Sequence, residues 1–374
     1  MHLAQWLKEH KKNVLLFSGL FLFLVLTVST YFFLSSTQSA TVITKAVEKL
    51  ISPTPSFTPT PTITNTPTPT PPAGGSPTAT LTPVPTRAPA KLLFGMGSQA
   101  GPAMDFPLVR EAPIHMLTSW YNGTKDLEWM RVQQNDLIPR LYANHYVVHL
   151  ITWTDLPEEE IDTPHGRACG RPYPVSNQVV EDMKQLAEIY NGPGPMYVTL
   201  FTEFQTYTCI DNNWNGNENY YMTLIDNYRK IKDIFHQYAP NSKVALSWGG
   251  WISRYDDQVN QGGRSLFSHF DDVIRESDFT AFQAMESDTN IQEMLDMTSI
   301  LGSYGKPVML AHYKPHSNSQ QLFDTDMRQL FTDDIITQLV NKGLFAFSFM
   351  DYDLPSGSNS TYQMVKNGIQ KYGQ

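Results

Sequence analysis

Carboxylates in this chain recur at the ends of apolar runs, interleaved with tryptophan. Glu203 closes the run in PMYVTLFTEFQTY (Pro195–Tyr207), and Glu286 closes FQAMES. Asp155 follows ITWT, and Asp351 and Asp353 follow the run that starts at Leu344. Beside them in sequence stand Trp120, Tyr121, Trp153, Gln205, Trp248, Trp251, His312 and Tyr313, so that four of the seven tryptophans fall in this set. Flat apolar rings stack on pyranose faces, while carboxylates hold hydroxyls and move protons, a combination suited to a carbohydrate cleft. Cleaving a glycosidic bond takes two carboxyl groups, one to protonate the leaving oxygen and one to serve as base or nucleophile. Glu203 is the leading catalytic candidate and Glu286 the best second carboxylate, with Asp351, Asp353 and Asp155 behind it. The remaining residues of the set are expected substrate contacts. A lone Glu at a strand end more often caps a helix or pairs with an arginine, so the case rests on the repetition of the pattern.

The elements that must position these residues form one repeating unit. Candidate strands are Leu92–Gly97, Pro113–Tyr121, Tyr146–Thr154, Met196–Glu203, Lys243–Trp248, Phe279–Glu286, Pro307–His312 and Leu344–Asp351. Their β-branched and aromatic runs read as strands buried on both faces. Between them lie amphipathic helical patterns at Thr124–Ala143, Ser176–Tyr190, Tyr220–Tyr238, Ser265–Arg275, Ile291–Tyr304 and Thr325–Lys342, and Thr361–Tyr372 closes the chain. Eight strands alternating with helices predict an α/β fold, a (β/α)8 TIM barrel over residues 91–374. An open doubly wound sheet is disfavoured, because GMGSQAG after the first strand lacks the spacing of a phosphate loop. Helix-to-strand connections are tight and strand-to-helix connections long, which places a site on the C-terminal face.

The N-terminal part is different in kind. Asn13–Leu34 is an uncharged apolar run long enough to cross a bilayer, preceded by Lys8, Lys11 and Lys12. The positive-inside rule leaves residues 1–12 in the cytoplasm, 13–34 as a single transmembrane anchor, and the rest outside. A cleaved signal peptide ending near Gln38-Ser39-Ala40 is the rival, but the apolar run exceeds the usual length for one. Residues 35–90 form a Thr/Pro-rich linker whose prolines rule out helix and sheet, so an extended stalk is expected. The net charge of −9, with no basic stripe, argues against nucleic acid as a partner. The expected partners are a polysaccharide or oligosaccharide and, through the N-terminal helix, the cell membrane.

On these residues the barrel resembles the clan-A glycoside hydrolases, nearest the family 26 type, across nearly all of Lys91–Gln374. The resemblance implies an acid/base Glu at the end of the fourth strand, which Glu203 in LFTEF matches. It also implies a nucleophilic Glu at the end of the seventh, where KPVMLAHY offers His312 instead. Thr202 stands where those enzymes carry Asn or His. A catalytically silent carbohydrate-binding barrel and a structural surface protein are therefore the alternatives to a glycosidase.

Two smaller signals complete the reading. Cys169 and Cys209 fall in loops after the third and fourth strands, on one rim, and outside the cell a disulfide between them is expected. No metal-ligand cluster is expected. DNNWNG matches the start of a calcium loop at Asp211, Asn213 and Asn215, but Met222 in the twelfth position excludes an EF-hand. A calcium-stabilised loop is weighed there against a plain Asn-rich turn.

Overall fold

The computed structural model describes residues 90–374 apart from 98, 210–213, 215–216, 258, 260–262 and 287–289. The cytoplasmic tail, apolar span and stalk expected from the sequence lie outside the described residues, as do Asp211, Asn213 and Asn215. Among the described residues no helix is long and apolar enough to cross a membrane.

Eight parallel strands close into a barrel in chain order. They are Leu93–Met96, Ile114–Tyr121, Val147–Thr152, Met196–Leu200, Ser242–Gly249, Thr280–Ala284, Val308–Tyr313 and Leu344–Phe349. The first strand pairs with the eighth, Leu93 against Ala346 through Met96 against Phe349, which closes the ring. The C-terminus runs back beneath the first strand: the Leu92 amide donates to the Tyr372 carbonyl at 2.8 Å and the Gln374 amide to the Leu92 carbonyl at 3.1 Å. Each strand of the barrel thus has a neighbour on both sides, and the barrel leaves no edge open.

Both strand faces are buried, and they do different work. The outward faces carry the large aliphatic and aromatic side chains that the helices cover, such as Leu117, Leu150, Val198, Leu310 and Phe347. The inward faces begin with a small apolar cluster that includes Leu93, Met116, Ala245, Ala281 and Met309. Nearer the C-terminal end the interior turns polar. The Ser348 and Thr118 hydroxyls lie 3.3 Å apart, Thr118 reaches His149 Nδ1 at 3.1 Å, and His149 Nε2 reaches Thr199 at 3.1 Å. Such a buried chain is stable because each member finds a partner.

Helices cover the barrel by burying one stripe each. Asn177–Tyr190 buries Val179, Met183, Leu186 and Tyr190 at helical spacing, and the Ser176 hydroxyl caps it by accepting from the Val179 amide. Three of the helical patterns expected as single helices are each broken in two. The first gives Asp126–Gln133 and Leu137–Ala143; the others give Leu266–His269 with Asp271–Glu276, and Gln320–Leu330 with Asp333–Asn341. In the last case Thr332 accepts from the Ile335 amide and starts a new helix.

One addition was not foreseen. The loop after the third strand contains an antiparallel hairpin, Glu159–Thr163 with Gly166–Gly170. Its short, polar, largely exposed strands carry little apolar periodicity. A disulfide between Cys169 and Cys209 joins the hairpin to the loop after the fourth strand, with the two Cα atoms 5.4 Å apart. The Arg171 amide donates to the Tyr207 carbonyl at 2.7 Å beside it.

Candidate active site

The fourth strand ends at Leu200, and the next three residues present Glu203 at the barrel mouth. Phe201 and Glu203 both adopt left-handed backbone conformations, with φ of +54° and +58°. For residues with a Cβ this costs on the order of 1–3 kcal/mol each and persists only where the surroundings enforce it. They do so here with a dense set of bonds. The Phe201 amide donates to the Thr152 hydroxyl and the Thr202 amide to the Thr152 carbonyl, both at 2.9 Å. The Glu203 carbonyl accepts from both the amide and the hydroxyl of Thr206 at 2.9 Å, and the Tyr207 hydroxyl donates to the Thr202 carbonyl at 2.8 Å. Gln205 is fully buried and forks onto Gly249 of the fifth strand, donating to its carbonyl at 3.2 Å and accepting from its amide at 3.1 Å.

Glu286 follows the sixth strand. Its amide donates to Asn290 Oδ1 at 2.7 Å, and its carboxylate pairs with Arg254 at 2.9 Å, both side chains about one-third exposed. Arg254 belongs to the short helix Ile252–Tyr255 after the fifth strand. A third carboxyl, Glu293 on the helix Asn290–Gly302, is buried beneath the pair, with Oε2 3.5 Å from the same Arg254 nitrogen. Burial pushes Glu293 up to about 8, with Glu286 and Glu203 adding to the shift and Arg254 opposing it. Glu203, Glu286 and Arg254 therefore act on one buried group. The sequence reading missed both Arg254 and Glu293, since neither ends a strand. An arginine three residues after Trp251, just past the fifth strand, was the signal available.

His312 lies inside the barrel. Strict alternation from inward-facing Met309 would send it outward, but the pairing of the sixth and seventh strands shifts between Phe282 and Gln283, so His312 lies opposite Gln283. Such an irregularity re-aims a side chain. The ring meets Trp120 edge-on, with centroids 4.6 Å apart. Burial, helped by nearby His149 and Lys314, holds it down to about 3, so it is a neutral imidazole, and its Nδ1 has no protein partner. Trp120 Nε1 and the Thr202 and Ser247 hydroxyls are likewise buried without protein partners.

The expected aromatic contacts divide into two groups. Trp120, Trp153 and Trp251 are half-buried. Trp153 shares the Arg171 guanidinium with Tyr207, at 5.8 and 4.8 Å from the ring centroids, and Trp251 lies against Gly249. The others face the wall. Trp248 is buried, stacked on Phe267 and edge-on to Phe204, because it falls on the outward face of its strand. Tyr121 is buried and donates to Asp182 at 2.7 Å, and Tyr313 is buried and donates to Asp326 at 2.6 Å. Gln205 is the clamp already described. Asp351 forms an ion pair with Lys314 and accepts from the Asp353 amide, while Asp155 and Asp353 are exposed. Among the described residues no group of His, Cys, Asp and Glu is arranged to hold a metal ion.

No protein-family model matches the sequence, and no curated protein matches it. Solved structures do. A GH26 β-mannanase from Bacteroides ovatus superimposes with a TM-score of 0.50 at 12% identity, covering 75% of this chain and 88% of that one. A GH53 catalytic domain from Ignisphaera aggregans gives 0.46 at 13%, covering 72% and 87%. An endo-1,4-β-xylanase from Caldicellulosiruptor owensensis gives 0.44 at 12%, covering 70% and 85%. The (β/α)8 barrel of this chain thus resembles in fold that of the GH26 β-mannanase. At these identities the likeness is one of fold, and the chemistry must be argued from the residues.

Proposed function

We propose that this chain is a membrane-anchored, extracytoplasmic glycosidase that cleaves glycosidic bonds in a polysaccharide with Glu203 as general acid. The observation that carries the reading is the strained, densely bonded backbone that presents Glu203 at the end of the fourth strand. Left-handed residues outside glycine cluster at functional sites, where the fold over-determines them. Glu203 donates its proton to the leaving oxygen. Glu286, whose negative charge Arg254 supports, is the second carboxylate, serving as base or nucleophile. The half-buried Trp120, Trp153 and Trp251 supply stacking faces for sugar rings. Lys8, Lys11 and Lys12 before the apolar run Asn13–Leu34 support the anchor and its orientation.

The test is reducing-end release from a panel of polysaccharides that includes mannan and xylan, with wild type and Glu203→Gln compared. Glutamine keeps the shape and removes the transferable proton, so turnover should fall by roughly 10²–10⁴-fold while oligosaccharide binding persists. A Glu203→Gln protein as active as wild type sinks the assignment.

A second reading has its own observation. The position matching the nucleophile in the resembling barrels is His312, and a buried neutral imidazole cannot act as a carboxylate. That favours a carbohydrate-binding barrel without turnover. Binding without reducing-end release on the same panel would establish it over the first.

A further inference from the structure

Glu293 lies outside every motif read from the sequence, yet it is buried beside the site. Its side chain is 1% exposed and Oε2 has no hydrogen-bond partner. Arg254 Nη2 is 3.5 Å away, and that same nitrogen holds Glu286 at 2.9 Å. The other side is closed by the Gly250 backbone, where an added Cβ would sit 2.2 Å from Glu293 Oε1. One guanidinium nitrogen thus faces two carboxyl groups, one reaching solvent and one sealed beneath it.

We propose that Glu293 is a positioning residue of the active site, competing with Glu286 for Arg254 and so setting which carboxylate that charge holds. The inference rests on the reading of Glu286 as a site carboxylate. The charged groups that face Glu293 are Glu286 after the sixth strand, Arg254 after the fifth, Glu203 after the fourth, and Asp296 on its own helix. Burial is the main cause, and three of these four charges are negative and add to it, so Glu293 keeps its proton up to about pH 8. Below that pH it is a neutral acid and the Arg254 charge belongs to Glu286. Above it, a buried carboxylate appears beside Arg254 and draws the guanidinium away from Glu286.

The consequence for stability has a definite sign. The folded state holds the Glu293 proton between its ordinary value of 4.5 and about 8, whereas the unfolded state does not. Stability from this group is therefore full below the ordinary value and falls as pH rises toward 8.

The experiment is thermal unfolding of the purified full-length chain from pH 4.5 to 9, for wild type, Glu293→Gln and Glu286→Gln. Above about pH 6.5, where the buried histidines no longer oppose the trend, wild type should lose melting temperature as pH rises to about 8, and Glu293→Gln should remove that step and be the more stable protein at pH 8. In Glu286→Gln, Arg254 is left to Glu293 and a like charge is gone, so the step should move down by about one pH unit or more. A Glu293→Gln protein less stable than wild type at pH 8, or a step that stays in place in Glu286→Gln, overturns the proposal. The readout needs no substrate, so failure to find glycosidase activity counts against the proposed function alone.

Discussion

His149 and His312 are buried inside the barrel, and burial brings both down to about 3. In the unfolded chain each takes up a proton near pH 6.5. Between those values the unfolded state binds more protons, so stability falls as pH drops from about 6.5 toward 3. At pH 4 the loss is on the order of 3 kcal/mol per histidine. His312→Gln should therefore gain on wild type in urea midpoint at pH 4 and show no gain at pH 7. A variant offset by the same amount at both pH values would mean that its effect is packing alone. Gly250 gives a second expectation at this scale. A Cβ there would lie 2.4 Å from the Gln283 carbonyl as well as against Glu293, and backbone cannot swing aside. Gly250→Ala should destabilise by about 1–3 kcal/mol, read from denaturant unfolding. None of this is visible along the chain, because His312, Gly250 and Glu293 owe their surroundings to residues far away in sequence.

At the scale of elements, the loop that carries Glu203 is held from two sides. Gln205 ties it to the fifth strand, and the Cys169–Cys209 disulfide ties it to the hairpin after the third. Gln205→Ala would strip the Gly249 amide and carbonyl of buried partners, costing about 1–3 kcal/mol for each group left unsatisfied. Because the clamp also orients the strained turn, turnover on a confirmed substrate should fall along with the denaturant midpoint. The disulfide closes a separation of 40 residues, for which the chain-entropy model gives about 4 kcal/mol. Reduction should lower the melting temperature and expose the hairpin to protease first, which limited digestion followed by mass spectrometry would reveal. The strands and most helices could be read from apolar period. The hairpin could not, since Glu159–Thr163 and Gly166–Gly170 are short and mostly polar. The breaks in three helices were missed for a related reason: amphipathic periodicity runs on through a cap such as Thr332 when both halves bury the same side.

For the molecule as a whole, the proposal sets a barrel on a proline-rich stalk outside the membrane. Protease added to intact cells should then release a soluble fragment by cutting within Ser52–Pro89. The Thr/Pro-rich sequence leads one to expect extended backbone there, which proteases accept. The barrel, closed without an edge, should survive the treatment. Recovery of the barrel free in the medium with a new N-terminus near Ala40 would instead mean a cleaved signal peptide.

The chain by itself determined the barrel. Eight apolar runs alternating with amphipathic ones leave few ways to bury both, and short returns with long outgoing loops orient the face. It also determined that Glu203 follows the fourth strand and Glu286 the sixth, because both stand just past an apolar run, although the fourth strand stops at Leu200 and not at Glu203. Only the tertiary structure decided which aromatics face the mouth. Trp248 and Tyr313 turn to the wall while Trp120 turns inward, a choice made by strand parity and pleat that a one-residue shift reverses. It also brought Arg254 and Glu293 to Glu286. Charges that meet across three separate segments leave no trace in local spacing, since their energy depends on distance and burial and not on order along the chain.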